Sequence, residues 1–142
     1  IDIMLVASMR EPFGRTSIEA QARGCPVVAT WVDGLPETLC ATQHAQSLVG
    51  PEWSLAEYAR ELGGQAELGV PWVYDPRSDE LVAPRATTPD RLAAAVMALL
   101  GSDAAYHCAS RAGLAHVGQR FSVADYGPAL DRAIMRLAAG PA

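Results

Sequence analysis

Glu11 and Glu19 are two carboxylates eight positions apart, flanking the loop Pro12-Phe13-Gly14-Arg15. An ionised carboxylate only accepts hydrogen bonds, so a pair of them suits neighbouring hydroxyls such as those of a sugar ring or a ribose. Thr16-Ser17-Ile18-Glu19 carries the S/T-x-x-E pattern that opens a helix. Free backbone N–H groups and the helix dipole at such an end favour a phosphate. Gly14, just before it, would let a ligand come close to the backbone. Carboxylates repel phosphate, which leaves Glu11 and Glu19 for the hydroxyls. A ligand with a phosphate and polyol ends satisfies all of this, and a nucleotide-sugar is such a ligand.

These residues need a frame. Ile1 to Ala7 is apolar apart from Asp2 and barely alternates, the pattern of a strand covered on both faces. A helix is expected from about Thr16 to Gly24, and Pro26-Val27-Val28-Ala29-Thr30 reads as the next, parallel strand. The order strand, acidic loop, helix, strand puts the carboxylates at the carboxyl edge of a parallel sheet, where open α/β folds bind ligands. Residues 41–79 are less regular. Within them Ser54 and Glu57 fit a capping box, followed by Leu55, Tyr58, Ala59 and Leu62 at helical spacing and ended by Gly63-Gly64. Pro71 and Pro76 make the surroundings of Trp72-Val73-Tyr74 a loop with a brief strand, and Glu80 to Ala83 a last short strand.

From Thr88 to about residue 138 the chain is helical. Thr88 caps and Pro89 takes the first position, with Leu92, Ala93, Val96, Leu99 and Leu100 on one face. Gly101-Ser102-Asp103 restarts the helix, and Ala104, Cys108, Ala112 and Ala115 continue at near-helical spacing. Ser122 with Asp125 opens a final helix striped by Val123, Tyr126, Leu130, Ala133, Ile134 and Leu137. The fold class is α/β: a parallel sheet with flanking helices and C-terminal helices, in one domain over residues 1–142.

All 11 basic residues are arginine, against 16 acidic ones, for a net charge of −5. An acidic domain without a basic stripe does not suit nucleic acid. No apolar run reaches the roughly 18 residues of a membrane span. Cys25, Cys40 and Cys108 are odd in number and widely spaced, which fits reduced thiols in a cytoplasmic protein. His44, His107 and His116 share no helical face, so no metal site is expected. Ser17 lacks the G-x-S-x-G setting of a nucleophile, and His107 beside Cys108 is not a catalytic pairing. The bare pattern leaves Glu19 two uses, ribose contact or capping of its own helix. Glu37, near the start of a short helix at Pro36, likewise fits the helix dipole as well as a ligand.

The runs Arg10-Glu11-Pro12-Phe13-Gly14-Arg15-Thr16-Ser17-Ile18-Glu19-Ala20, Gly24-Cys25-Pro26-Val27-Val28-Ala29-Thr30 and Gly34-Leu35-Pro36-Glu37 resemble the donor-binding half of family 4 retaining glycosyltransferases of the GT-B fold. Their E-x7-E, G-x-P-V-V-A-T and G-x-x-E elements occur here in that order. Glu80-Leu81-Val82-Ala83-Pro84 is similar to a later strand of that family. The resemblance is strong over residues 1–40 and looser over 80–138; residues 41–79 are longer than that family's usual link, which implies an insertion. It implies a Rossmann-like sheet, the later part of a GT-B C-terminal domain.

By the same resemblance, Glu11 contacts the donor sugar near the reacting carbon and is the catalytic candidate. Phe13, Gly14, Arg15 and Thr16 form the loop whose amides face sugar and distal phosphate. Glu19 holds the ribose hydroxyls. The nucleotide-sugar is a substrate; no cofactor and no essential metal are implied. The family's acceptor domain and the first strands of its donor domain have no counterpart here, so the chain alone is not expected to complete a catalytic cycle. Acceptor, base and sugar stay unassigned. Rival readings are a GT-B-fold sugar-nucleotide epimerase or phosphorylase, and a non-catalytic interaction module that associates through an unpaired sheet edge.

Overall fold

The computed structural model describes residues 2–63 and 68–138; Ile1 and Gly64 lie outside the described residues. Three short strands, β1 (Met4–Val6), β2 (Val27–Thr30) and β3 (Leu48–Val49), form a parallel sheet in the order β1-β2-β3. Met4 pairs with Val27 and Val6 with Ala29; Ala29 in turn pairs with Leu48. The central strand β2 is buried along its whole length. Its residues alternate between two cores. Val27 and Ala29 join Val6, Val32, Leu35, Leu39 and Leu48. Val28 joins Val49, Leu92, Leu99 and Ala109. Burial on both faces is why the run reads as continuously apolar.

Helix α1 (Arg15–Gln21) connects β1 to β2. After β2 come two short 3-10 turns, Leu35–Thr38 and Ala41–Gln43, then α2 (His44–Ser47), which leads into β3. The stretch 41–49 thus supplies the third strand of the core sheet, although residues 41–79 read by sequence as an insertion. A two-residue strand inside polar sequence has no periodicity of its own, and only pairing with Ala29 and Thr30 defines it.

Beyond β3 lie two small antiparallel pairs. One joins β4 (Trp53–Ser54) to β7 (Arg85–Ala86); the other joins β5 (Val73–Asp75) to β6 (Glu80–Val82). The short strands expected near Val73 and from Glu80 are both present. Helix α3 (Leu55–Leu62) opens on a complete capping box. Ser54 Oγ accepts the Glu57 N–H at 3.2 Å, and Glu57 Oε2 accepts the Ser54 N–H at 2.8 Å. The Ser54 N–H, with the Ser54 hydroxyl also 2.8 Å from Oε2, holds the Glu57 carboxyl below its usual range. Ser54→Ala is expected to cost about 1 kcal/mol, read as a lower urea midpoint at unchanged m-value.

Helices α4 (Pro89–Leu100), α5 (Asp103–Arg120) and α6 (Val123–Ala138) follow. In α4, Leu92 and Leu99 are buried as expected, but Leu100 is half exposed. The buried line of α5 is Ala109, Gly113 and Val117, not the Ala104-Cys108-Ala112-Ala115 line read from sequence. Alanine spacing alone does not choose between adjacent helical faces. Gly113 chooses: a Cβ there would stand 3.0 Å from the Gln21 side chain, so this face alone can lie close against α1. The α6 stripe exists, but the helix buries no residue, and Val123 is 88% exposed. Among the described residues, no single helix is long and apolar enough to cross a membrane.

Candidate functional site

Two loops leave the carboxyl ends of β1 and β2 side by side. Thr30 Oγ1 donates to the Ser8 carbonyl, stitching them together at the sheet edge. Glu11 lies in the first loop and is gripped at three points. Its N–H donates to Asp33 Oδ2 at 2.9 Å, its carbonyl accepts the Gly34 N–H at 3.2 Å, and its Oε1 accepts the Gly14 N–H at 3.0 Å.

Gly14 is buried, with φ +81°, and is the residue from which α1 starts. That left-handed conformation suits glycine. A Cβ there would also stand 2.9 Å from Leu35 Cδ2 and 3.1 Å from Thr38 Cγ2. The close approach expected of a ligand at this glycine is made by the protein itself. Its N–H, expected to face sugar and phosphate, is engaged by the Glu11 carboxylate in this structure.

The capping box expected at Thr16 and Glu19 does not form. Thr16 is already the second residue of α1, and the Gly14 carbonyl accepts the Ser17 and Ile18 N–H groups. The glycine's left-handed turn starts the helix two residues earlier than a Thr16 cap would allow. Glu19 Oε1 instead meets Arg15 Nη2 at 3.1 Å, with side chains 62% and 81% exposed. An exposed i,i+4 pair of this kind is worth only a few tenths of a kcal/mol. Glu19 therefore does not cap its own helix.

What holds α1 in place is a buried polar cluster. Ser17 Oγ and Thr38 Oγ1 are 2.7 Å apart, and Gln21 Nε2 donates to the Thr38 carbonyl at 2.8 Å. Ser17 is fully buried, so its role is to pin the helix to the Leu35–Thr38 turn. Glu37 stands in the first turn of that 3-10 segment and is exposed. His44 sits 3.0 Å from the Pro36 carbonyl and edge-on to Trp31. Among the described residues no group of three or more His, Cys, Asp or Glu side chains is placed to hold a metal ion.

An open groove of about 960 Å³ runs between the start of α1 and the junction of α5 with α6. Phe13, Arg15 and Glu19 line one wall, and Phe121, Tyr126 and Arg132 the other. Phe13, 54% exposed, packs edge-on to Phe121 at 6.2 Å, and His116 meets Phe121 from 5.8 Å. Glu19 lines this groove and Glu11 does not. A smaller opening of about 320 Å³ lies beside the Glu11 loop, between Arg10, Pro12, Asp33, Gly34, Glu37 and Tyr74. The Tyr74 hydroxyl donates to Asp79 Oδ1 at 2.8 Å, which raises the phenol's pKa.

Sequence reading did not single out Asp33; Tyr74 entered it only within the Trp72-Val73-Tyr74 cluster and Phe121 only as the residue before the final helix. Asp33 lies 22 residues from one partner and 41 from the other. The usable signal was Asp33-Gly34, a turn dipeptide two residues past the Val27–Thr30 strand.

Residues 1–63, just under half of the chain, match the family described as Glycosyl transferases group 1. A D-inositol 3-phosphate glycosyltransferase of Streptomyces bingchenggensis (strain BCW-1) is 45% identical over 60 residues. That alignment covers 42% of this chain and 13% of the relative's length. No solved structure matches the chain.

Proposed function

We propose that this chain is the nucleotide-sugar-binding part of a retaining glycosyltransferase, within a Rossmann-like GT-B C-terminal domain. One observation carries the reading: the Glu11 loop, the start of α1 and the Gly34 turn meet at the carboxyl edge of a parallel sheet, inside the stretch that matches a glycosyltransferase family. Glu11 acts on the donor sugar and Glu19 on the ribose, with Phe13, Gly14, Arg15 and Thr16 forming the loop between them. Leaving-group charge is stabilised by oriented amides and arginines rather than by an essential metal. Three free thiols fit a cytoplasmic setting.

Mass spectrometry and proton NMR of products from the intact protein, a nucleotide-sugar and candidate acceptors test the reaction class, NMR reading the configurations that mass does not distinguish. A glycoside with the donor's anomeric configuration supports it; an epimerised nucleotide-sugar supports the epimerase instead. Glu19→Ala is expected to weaken UDP-glucose or GDP-mannose binding roughly tenfold or more, read by calorimetry with turnover at saturating donor little changed. Unaltered donor affinity would remove Glu19 from the ribose.

A second reading, a non-catalytic association module, draws on the apolar stripe that α6 exposes and on β1 as an edge strand with Leu5 half exposed. Sedimentation equilibrium with and without donor separates the two. A dimer that binds neither nucleotide-sugar favours the module.

A further inference from the structure

Asp33 follows β2 in a left-handed backbone conformation, φ +42°, which non-glycine residues adopt uncommonly and aspartate more readily than most. Both of its carboxylate oxygens accept main-chain N–H groups. Oδ2 takes that of Glu11 at 2.9 Å, and Oδ1 takes that of Tyr74 at 3.2 Å. The Asp33 N–H also donates to the Tyr74 carbonyl at 3.2 Å. The next residue completes the grip: the Gly34 N–H donates to the Glu11 carbonyl at 3.2 Å. A Cβ on Gly34 would lie 2.4 Å from the Pro12 carbonyl oxygen, so the two loops touch backbone to backbone. Glu11 is thus fixed at its N–H by one residue and at its carbonyl by the next.

We propose that Asp33 is a positioning residue for Glu11, holding it and the β5–β6 hairpin in one fixed relation. This rests on the assignment of Glu11 to the donor sugar. The hairpin becomes part of the site: Tyr74 and the Glu11 loop share one carboxylate, and both border the same opening. Hydrogen bonds from amides to a charged acceptor are the stronger kind. Two of them on one side chain fix a direction as well as a distance, which places the Glu11 side chain before any donor arrives.

Backbone amide exchange on the ¹⁵N-labelled chain is the test, with Asp33→Ala and Asp33→Asn compared. In Asp33→Ala, the Glu11 and Tyr74 amides are expected to exchange at least about tenfold faster, while Val28 in the central strand keeps its protection. Asp33→Asn retains one acceptor oxygen, so it is expected to restore one of the two amides. Unchanged exchange at Glu11 and Tyr74 would overturn the proposal. So would an equal loss at Val28 in both variants, since the carboxylate would then support the sheet in general. Titration with UDP-glucose and GDP-mannose gives the functional arm. Asp33→Ala and Glu11→Ala should each weaken binding of the donor that the wild type takes up, and the double variant should be no weaker than Glu11→Ala. Additive losses would overturn positioning through Glu11. Failure of the donor assignment looks different: Glu11→Ala leaves binding untouched while the exchange pattern still follows Asp33.

Discussion

If the chain belongs to the proposed transferase, Glu11→Gln in the intact protein is expected to lower kcat by roughly a hundred- to a thousandfold, the range for removing one aligned electrostatic group from a reacting centre. Donor KM is expected to change far less. The exchange keeps side-chain length and an oxygen that can accept the Gly14 N–H, now 3.0 Å from Oε1. The loop geometry therefore survives, and the charge is what is lost. A retained fold, shown by an unchanged unfolding midpoint, is part of the expected result. Initial rates against donor concentration at saturating acceptor decide it. If kcat stays within a fewfold of wild type, Glu11 has no part in the chemistry and the catalytic assignment fails.

Leu35→Ala is expected to destabilise the fold by about 2–5 kcal/mol, the cost of emptying a fully buried leucine position. Leu35 is 0% exposed and belongs to the core under β2. Its Cδ2 also fills the space in front of Gly14, so the cavity opens directly beneath the start of α1. Stability and site geometry should fail together. Urea unfolding of Leu35→Ala and of Leu99→Ala, from the opposite core, separates the two effects. Both variants should lose comparable stability, yet only Leu35→Ala should weaken donor binding at temperatures where each remains folded. A loss below about 1 kcal/mol in Leu35→Ala would show that the turn collapses to refill the space.

Local pattern is enough where the contacts that make an element lie close in the chain. The Val27–Thr30 strand is continuous in apolar character because both of its faces are covered, and that burial is visible in composition. The Ser54–Glu57 box is a contact between residues three apart, and it forms because the helix starts directly after Ser54. The Thr16–Glu19 pattern looked the same and did not form, because Gly14 starts the helix at Arg15 and Arg15 recruits Glu19. Helical periodicity located α5 but not its buried face, which depends on Gly113 meeting Gln21.

The chain's linear order by itself determined the two carboxylates, the glycine between them and the strands on either side, because each depends on neighbours within a few residues. Only the tertiary structure decided that Asp33 and Gly34 grip Glu11, that Leu48–Val49 completes the sheet, and that Glu19 opens onto a groove walled by α6. Those contacts join residues 19 to more than 100 positions apart. Their partners are chosen by packing and by the pairing of buried polar groups, and such choices leave no period or spacing in the sequence.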